Sequence, residues 1–262
     1  MNLDLTNKRA WVCGSTQGIG RATAVELAQM GASITLIARN AEALAEVQAS
    51  LPTTAGQKHT YMAADFDDLE ALRKGIAEEL GAGRPADILI NNTGGPKGGP
   101  AHLAELEEYT QAFARHVLAN QTLVQAVLPH MQESGWGRIV NVISTSVKAP
   151  IPNLGVSNTI RGAVANWAKT LSVEVAPHGI TVNNVLPGFT ETSRLDSIVA
   201  NRAQQQATST EVVAQAMRNS VPARRFARAE EVAAAIAFLA SPVAGYINGI
   251  NLPVDGGRLP TL

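Results

Sequence analysis

The chain has 262 residues, 45% of them hydrophobic, and a formal net charge of −1 from 21 basic and 22 acidic side chains. That length and apolar content suffice for one large core, so residues 1–262 read as a single domain, and the charge balance excludes a broad electrostatic footprint for nucleic acid or an anionic membrane. Cys13 is the sole cysteine, which excludes an internal disulfide and a cysteine-built metal site and fits a reducing compartment, by default the cytoplasm.

From the first residue onward, Asp4, Lys8 and Arg9 interrupt the apolar positions, so the start resembles neither a secretion signal nor a membrane span, and no later run reaches spanning length. Short apolar runs then alternate with helical patterns, the order that parallel strands and crossover helices require. Strands are expected at Arg9 to Cys13, Ser33 to Ala38, Lys58 to Ala63, Ile88 to Asn91, Arg138 to Ile143, Thr181 to Val185 and Ile250 to Val254. Their nonalternating character suits burial on both faces. Helices are expected at Gly18 to Met30, Ala41 to Ala49, Asp67 to Leu80, Leu103 to Glu133, Val156 to Ala176 and Ala229 to Ala240, with Asn40 and Asp67 as caps. The polar, glutamine-rich stretch 190–220 reads as short helices forming a mobile cover over a site. The whole is an α/β protein, a Rossmann-type doubly wound parallel sheet flanked by helices.

Between the first strand and the first helix stand three glycines, Gly14, Gly18 and Gly20. Gly14 permits a tight turn, Gly18 lets backbone approach a ligand, and Gly20 lets helix and strand pack. The helix N-terminus behind them offers free amides and partial positive charge to a pyrophosphate. After the second strand the chain reads Ile37-Ala38-Arg39-Asn40, with no carboxylate to repel a ribose 2′-phosphate. Arg39 could pair with that phosphate through its planar fork, so NADP(H) is expected over NAD(H), with NAD possible.

The spacing Gly14-x-x-x-Gly18-x-Gly20 resembles the short-chain dehydrogenase/reductase family, and the resemblance runs through most of the chain. Asn91-Asn92-Thr93-Gly94, Pro187-Gly188-Phe189-Thr190-Glu191-Thr192, Pro222 to Phe226, Glu230 to Ser241 and Val254-Asp255-Gly256-Gly257 are similar to family segments in the same order. The resemblance implies a cofactor held by Gly14, Ser15, Gln17, Gly18, Ile19 and Gly20, by Arg39 and Asp65, by Asn92 and Gly94, and by Arg161, Pro187, Gly188 and Thr192. It further implies a homo-oligomer, tetramer or dimer, joined through the two long helices. The stretch from Gly162 to Ala168 would permit close helix contact there or equally belong to the core.

At the chemical end the pattern breaks. Family members of the usual kind use a tyrosine acid, a lysine four residues on, a serine and a supporting asparagine. Aligned by its flanking matches, this chain keeps Ser144, but thirteen residues on it has Ser157, with Arg161 for the lysine and His116 for the asparagine. Ser157 and Arg161 still share a helical face. Serine is a poor proton donor near neutrality, whereas imidazole titrates there, so His116 is the expected replacement acid. Lys97, Lys148 and Tyr109 stand in reserve, and backbone amides of the loop Gly94 to Pro100 could bind an anionic or carbonyl group.

Three functions compete. The leading one is an oxidoreductase acting on a carbonyl or alcohol, similar to ketoacyl-carrier-protein reductases, using Ser144 with His116 or bound water in place of the tyrosine. The second is a noncatalytic nucleotide-binding sensor or assembly protein. The third has His116 abstract a proton or promote elimination beside a bound nucleotide.

Overall fold

The computed structural model describes residues 1–261. Seven parallel strands form one sheet: β1 (Arg9–Cys13), β2 (Ser33–Ala38), β3 (Thr60–Ala63), β4 (Ile88–Asn91), β5 (Gly137–Val142), β6 (Ile180–Pro187) and β7 (Asn251–Val254), in the order β3-β2-β1-β4-β5-β6-β7. Around it lie α1 (Gly18–Gln29), α2 (Ala41–Ser50), α3 (Leu69–Gly81), α4 (Leu106–Phe113), α5 (Ala119–Ser134), α6 (Gly155–Val175), α7 (Ser193–Gln205), α8 (Thr210–Asn219) and α9 (Ala229–Ala240). Among the described residues no helix is long and apolar enough to cross a membrane.

Both faces of the sheet are covered, which is why the strands are apolar without alternation. Val12, Leu36 and Val140 face a core shared with Leu27, Leu44 and Ile236. Their strand neighbours Trp11, Ile37 and Ile139 face the opposite core, with Leu72, Leu123 and Leu171. Successive strand residues point to opposite sides, so one run feeds both cores.

The strand order reverses between β1 and β4, and a cleft opens over the carboxyl ends of the strands there, as it does in open parallel sheets generally. A row of asparagines, buried at Asn91, Asn141 and Asn184 and half-buried at Asn251, stiffens this edge. Asn91 Nδ2 donates to Asn141 Oδ1 at 2.8 Å, Asn141 Nδ2 to Asn184 Oδ1 at 2.9 Å, and Asn184 Nδ2 to Asn251 Oδ1 at 2.8 Å, each between residues in register on neighbouring strands. Truncating Asn141 strands a donor on one side and an acceptor on the other. Asn141→Ala is therefore expected to cost about 2–5 kcal/mol in urea unfolding, and a loss under about 1 kcal/mol would contradict the ladder's importance.

Several expected boundaries move for local reasons. β3 begins at Thr60 rather than Lys58 because the His59 ring, not strand backbone, accepts the Ile34 amide at 3.1 Å. The cap of α3 is Asp68, whose carboxylate accepts from the Glu70 and Ala71 amides, and not Asp67, which is drawn away to pair with Arg115. Asn40 caps α2 as expected, accepting from the Ala43 amide at 3.1 Å. The single long helix expected from Leu103 to Glu133 is a short 3-10 turn at Ala101–Leu103 followed by α4 and α5 joined through a π-helical turn at Ala114–Leu118.

Within 190–220 the expected short helices are α7 and α8, and they carry their own small core of Leu195, Val199, Val213, Met217 and Phe226. Phe189 meets Phe226 edge-on with centroids 6.0 Å apart, anchoring this segment to the sheet end at β6.

Candidate active site

The opening turn shows why glycine is needed at two positions. Gly14 has φ +61°, and a Cβ there would stand 2.5 Å from the Asn92 carbonyl oxygen. A Cβ on Gly20 would fall 2.1 Å from the Gly14 carbonyl oxygen, so helix α1 can meet β1 only without it. Gly18 has φ +53°, and a Cβ on it would meet the Thr192 Cγ2 at 2.9 Å, so the loop that leads into α7 rests directly on the turn at this point.

Three other residues brace the turn. Ser15 is fully buried, its Oγ accepting the Ile37 amide at 3.0 Å, so its side chain pins the turn to β2. Asn92 Nδ2 donates to the Cys13 and Gly14 carbonyls at 3.3 and 3.4 Å, tying the end of β4 to the turn. The Gln17 amide oxygen accepts from Ser193 Oγ at 3.2 Å, a second link to the start of α7. Gln17 precedes α1 without capping it by its side chain, so the first amides of the helix face the cleft uncapped. Beneath the turn, burial pushes the Cys13 thiol up to about 12, which makes it inert.

Gly14, Gln17, Gly18, Ile19, Arg39, Asn92, Gly94, Pro187, Gly188 and Thr192 all line the cleft, whose volume is about 490 Å³. Gly20 and Asp65 do not. Gly20 is filled by turn packing, one oxygen of the Asp65 carboxylate turns back to accept the Asp67 amide at 3.1 Å, and its neighbour Phe66 reaches the cleft. Arg39 is exposed at the open end beside Asp67, whose carboxyl is held below its ordinary value first by the hydrogen bond from Arg115 and also by the Arg39 charge.

The reacting end is built by β4, β5 and α6. Ser144 follows β5, and its Oγ accepts the Ser146 amide at 3.1 Å, which leaves the hydroxyl hydrogen to donate elsewhere. Ser157 and Arg161, one turn apart on α6, both line the cleft. The Arg161 guanidinium is buried and donates to the Val142 carbonyl at 2.9 Å and the Thr93 carbonyl at 3.3 Å. Burial, and then the nearby Arg194 charge, lower its pKa to about 10, so the cation persists through neutral pH.

His116 does not hold a proton near neutrality as expected. The extra residue of the π-helical turn swings it inward until it is 1% exposed and off the cleft. Its Nδ1 lies 2.6 Å from Thr93 Oγ1 and its Nε2 is buried without a hydrogen-bond partner. Burial, with the Arg161 and Arg115 cations, drives the imidazole pKa from 6.5 down to about 2. The correction is physical: a desolvated ring beside two cations stays neutral.

That shift has a stability consequence. Below pH 6.5 the unfolded chain binds a proton that the folded protein refuses, so stability from this group is complete above pH 6.5 and falls as pH drops, by about 1.4 kcal/mol per unit. Between pH 6.5 and 4.5 the urea midpoint of His116→Asn is expected to decline less than that of the native protein, by roughly 2–3 kcal/mol in unfolding free energy. Parallel declines would show that the ring is accessible to protons.

Some lining residues were not expected from sequence: Phe66, Thr93, Leu154, Phe189, Ser193 and Arg194 among them. Thr93 and Phe189 lie inside quoted segments; Arg194 carries no signal, being one charge in a polar stretch. Three arginines line the cleft, Arg39, Arg161 and Arg194, and no aspartate or glutamate does.

Comparison with known proteins bears on this geometry. Residues 14–258 match the family model described as enoyl-(acyl carrier protein) reductase. The chain is similar to NADPH-dependent reductase BacG of Bacillus subtilis, 30% identical over 261 residues covering 98% of this chain and 100% of that one. It is likewise similar to 3-oxoacyl-(acyl-carrier-protein) reductase FabG of Vibrio cholerae, 34% identical over 257 residues covering 97% and 98%. Among solved structures, L-sorbose reductase of Gluconobacter frateurii complexed with NADPH and L-sorbose superposes with a TM-score of 0.93 at 30% identity, covering 100% of both chains.

Proposed function

The chain belongs to the short-chain dehydrogenase/reductase family, and from that premise we propose that it is an NADP(H)-dependent oxidoreductase acting on a carbonyl or alcohol substrate with a reacting end of its own. The observation that carries this reading is the cleft itself: a glycine turn and uncapped helix N-terminus at one end, Ser144 and a buried arginine at the other. The residues fit a dinucleotide. Gly14 and Gly18 line the cleft where the tight turn brings backbone to its floor, the α1 amides suit a pyrophosphate, and Arg39 at the open end suits a 2′-phosphate.

When bound, the nicotinamide supplies or takes up hydride at the substrate carbon. Ser144 donates its free hydroxyl hydrogen to the substrate oxygen. Arg161 stabilises negative charge developing on that oxygen, because its cation is preorganised by the Val142 and Thr93 carbonyls before any substrate arrives. Ser157 leaves open the space a phenol would take and has no tunable acidity, so the proton follows from water. His116 acts as a neutral brace that holds Thr93, and with it the Arg161 contact, in place.

Cofactor choice tests the reading. Arg39→Ala is expected to weaken NADPH about 10- to 100-fold while leaving NADH within a few-fold, the loss of one charge-assisted contact. Tighter binding of NADH than NADPH by the native protein would overturn the preference. A second reading, a noncatalytic NADP(H)-binding protein, is favoured by Ser157 at the tyrosine position and would be chosen by cofactor binding without turnover on a carbonyl panel.

Assembly and setting belong to the same proposal. Phe113, Leu118 and Val173 stand exposed along α4 to α6, and a Cβ on Gly162 would meet nothing within 4 Å, so these helices offer surface for a dimer or tetramer, whereas Ala165 and Ala168 are core. A cytoplasmic setting accords with one buried thiol.

A further inference from the structure

Of the three arginines on the cleft, Arg39 is accounted for by the proposed 2′-phosphate, which leaves Arg161 and Arg194. They approach from opposite walls. Arg161 rises from α6, while Arg194 hangs from the first turn of α7 in the covering segment and donates its Nη2 to the Pro96 carbonyl at 3.1 Å. A Cβ on Gly95 would stand 3.7 Å from the Nη2 of each, so the two guanidinium groups converge on one glycine of the loop after β4.

Two cations held together by neutral carbonyls repel each other, and among the described residues no aspartate or glutamate lines the cleft to offset them. Arg138 is the useful contrast. It too is a buried arginine, but it is satisfied by the Ser241, Gly137 and Gly179 carbonyls, lies over the Trp136 ring, and does not line the cleft. Arg161 has used two of the five guanidinium donors, and the bond from Arg194 to the Pro96 carbonyl uses one, so both retain hydrogen-bonding capacity beside open space.

Position separates this pair from the pyrophosphate end. The Val142 and Thr93 contacts fix Arg161 at the tips of β5 and β4, beside Ser144, whereas the helix amides that suit a pyrophosphate lie at α1. We propose that Arg161 and Arg194 together clamp a carboxylate of the substrate, so that this protein acts on oxo acids or hydroxy acids in preference to neutral carbonyl compounds. This rests on the oxidoreductase reading above. Because Arg194 belongs to the cover, the same contact draws the cover onto substrates that carry the negative charge.

The test uses the full-length protein saturated with NADPH and titrated with oxamate, a small carboxylate that cannot be reduced under these conditions, and with its neutral ethyl ester, following quenching of the bound NADPH fluorescence. Oxamate is expected to bind at least about 30-fold more tightly than the ester, and Arg194→Gln to remove that preference while NADPH affinity stays within about 2-fold. Equal affinity for acid and ester overturns the clamp. A fall in NADPH affinity matching the fall for oxamate in Arg194→Gln also overturns it, by assigning the pair to the cofactor's own phosphates. Failure of NADPH itself to bind would instead sink the oxidoreductase reading; oxamate titrated calorimetrically into the cofactor-free protein would then decide the clamp by the same preference.

Discussion

Gly14→Ala is expected to weaken NADPH binding by at least about 100-fold and to lower unfolding free energy by about 2–4 kcal/mol. Two penalties combine. The φ of +61° is one that an L side chain adopts only with strain, and the new methyl would stand 2.5 Å from the Asn92 carbonyl oxygen and 2.8 Å from Asn92 Nδ2. Neither neighbour is the loose end of a flexible side chain, since Asn92 Nδ2 is held by the Cys13 and Gly14 carbonyls. The end of β4 must move away, and both the turn and the Thr93–Gly94 wall move with it. Gly56→Ala provides the control: its φ is +77°, but a Cβ there meets nothing within 4 Å, so it should bear the local strain and leave NADPH affinity unchanged. Fluorescence titration and urea unfolding read the two effects separately. Native-like NADPH binding by Gly14→Ala would mean that the opening turn is not the cofactor cradle.

The second large effect concerns Arg161. Arg161→Met keeps an unbranched aliphatic stem and removes the guanidinium with its charge, and turnover of the best substrate in a carbonyl panel is expected to fall about 10²- to 10³-fold, the usual cost of losing one preorganised donor to a developing oxyanion. The pH profile distinguishes this role from acid catalysis. Arg161 keeps its proton until pH approaches about 10, and His116 stays neutral down to about 2. The native kcat should therefore be flat between about pH 6 and 9 and decline only as Arg161 begins to lose its charge. A break near pH 6.5 would restore His116 as the acid. The double variant Ser157→Tyr with Arg161→Lys installs an ionisable phenol beside an ammonium, and its profile should acquire a new titration below the free phenol value of about 10. An unaltered profile in that variant would show that α6 does not present position 157 to the reacting oxygen.

The sheet, the position of the glycine turn and the shared face of Ser157 and Arg161 were legible in the residue order, because each depends on short-range regularities. Apolar runs buried on both faces define strands, glycine is needed wherever a Cβ would strike backbone, and a spacing of four places two side chains on one helical face. Tertiary structure decided what those regularities do not encode. The inward swing of His116 depends on a π-helical turn, and its neutrality first on burial and then on two cations, its neighbour Arg115 and Arg161 from a remote helix. The Ser15 hydroxyl braces β2 because the fold brings the Ile37 amide to it, and Asp65 accepts the Asp67 amide of its own turn. Arg194 became part of the reacting end only when α7 folded over the cleft and brought it to Gly95 and Pro96. Burial and the meeting of charges from remote segments set protonation and electrostatic field, and only the closed fold brings those segments together.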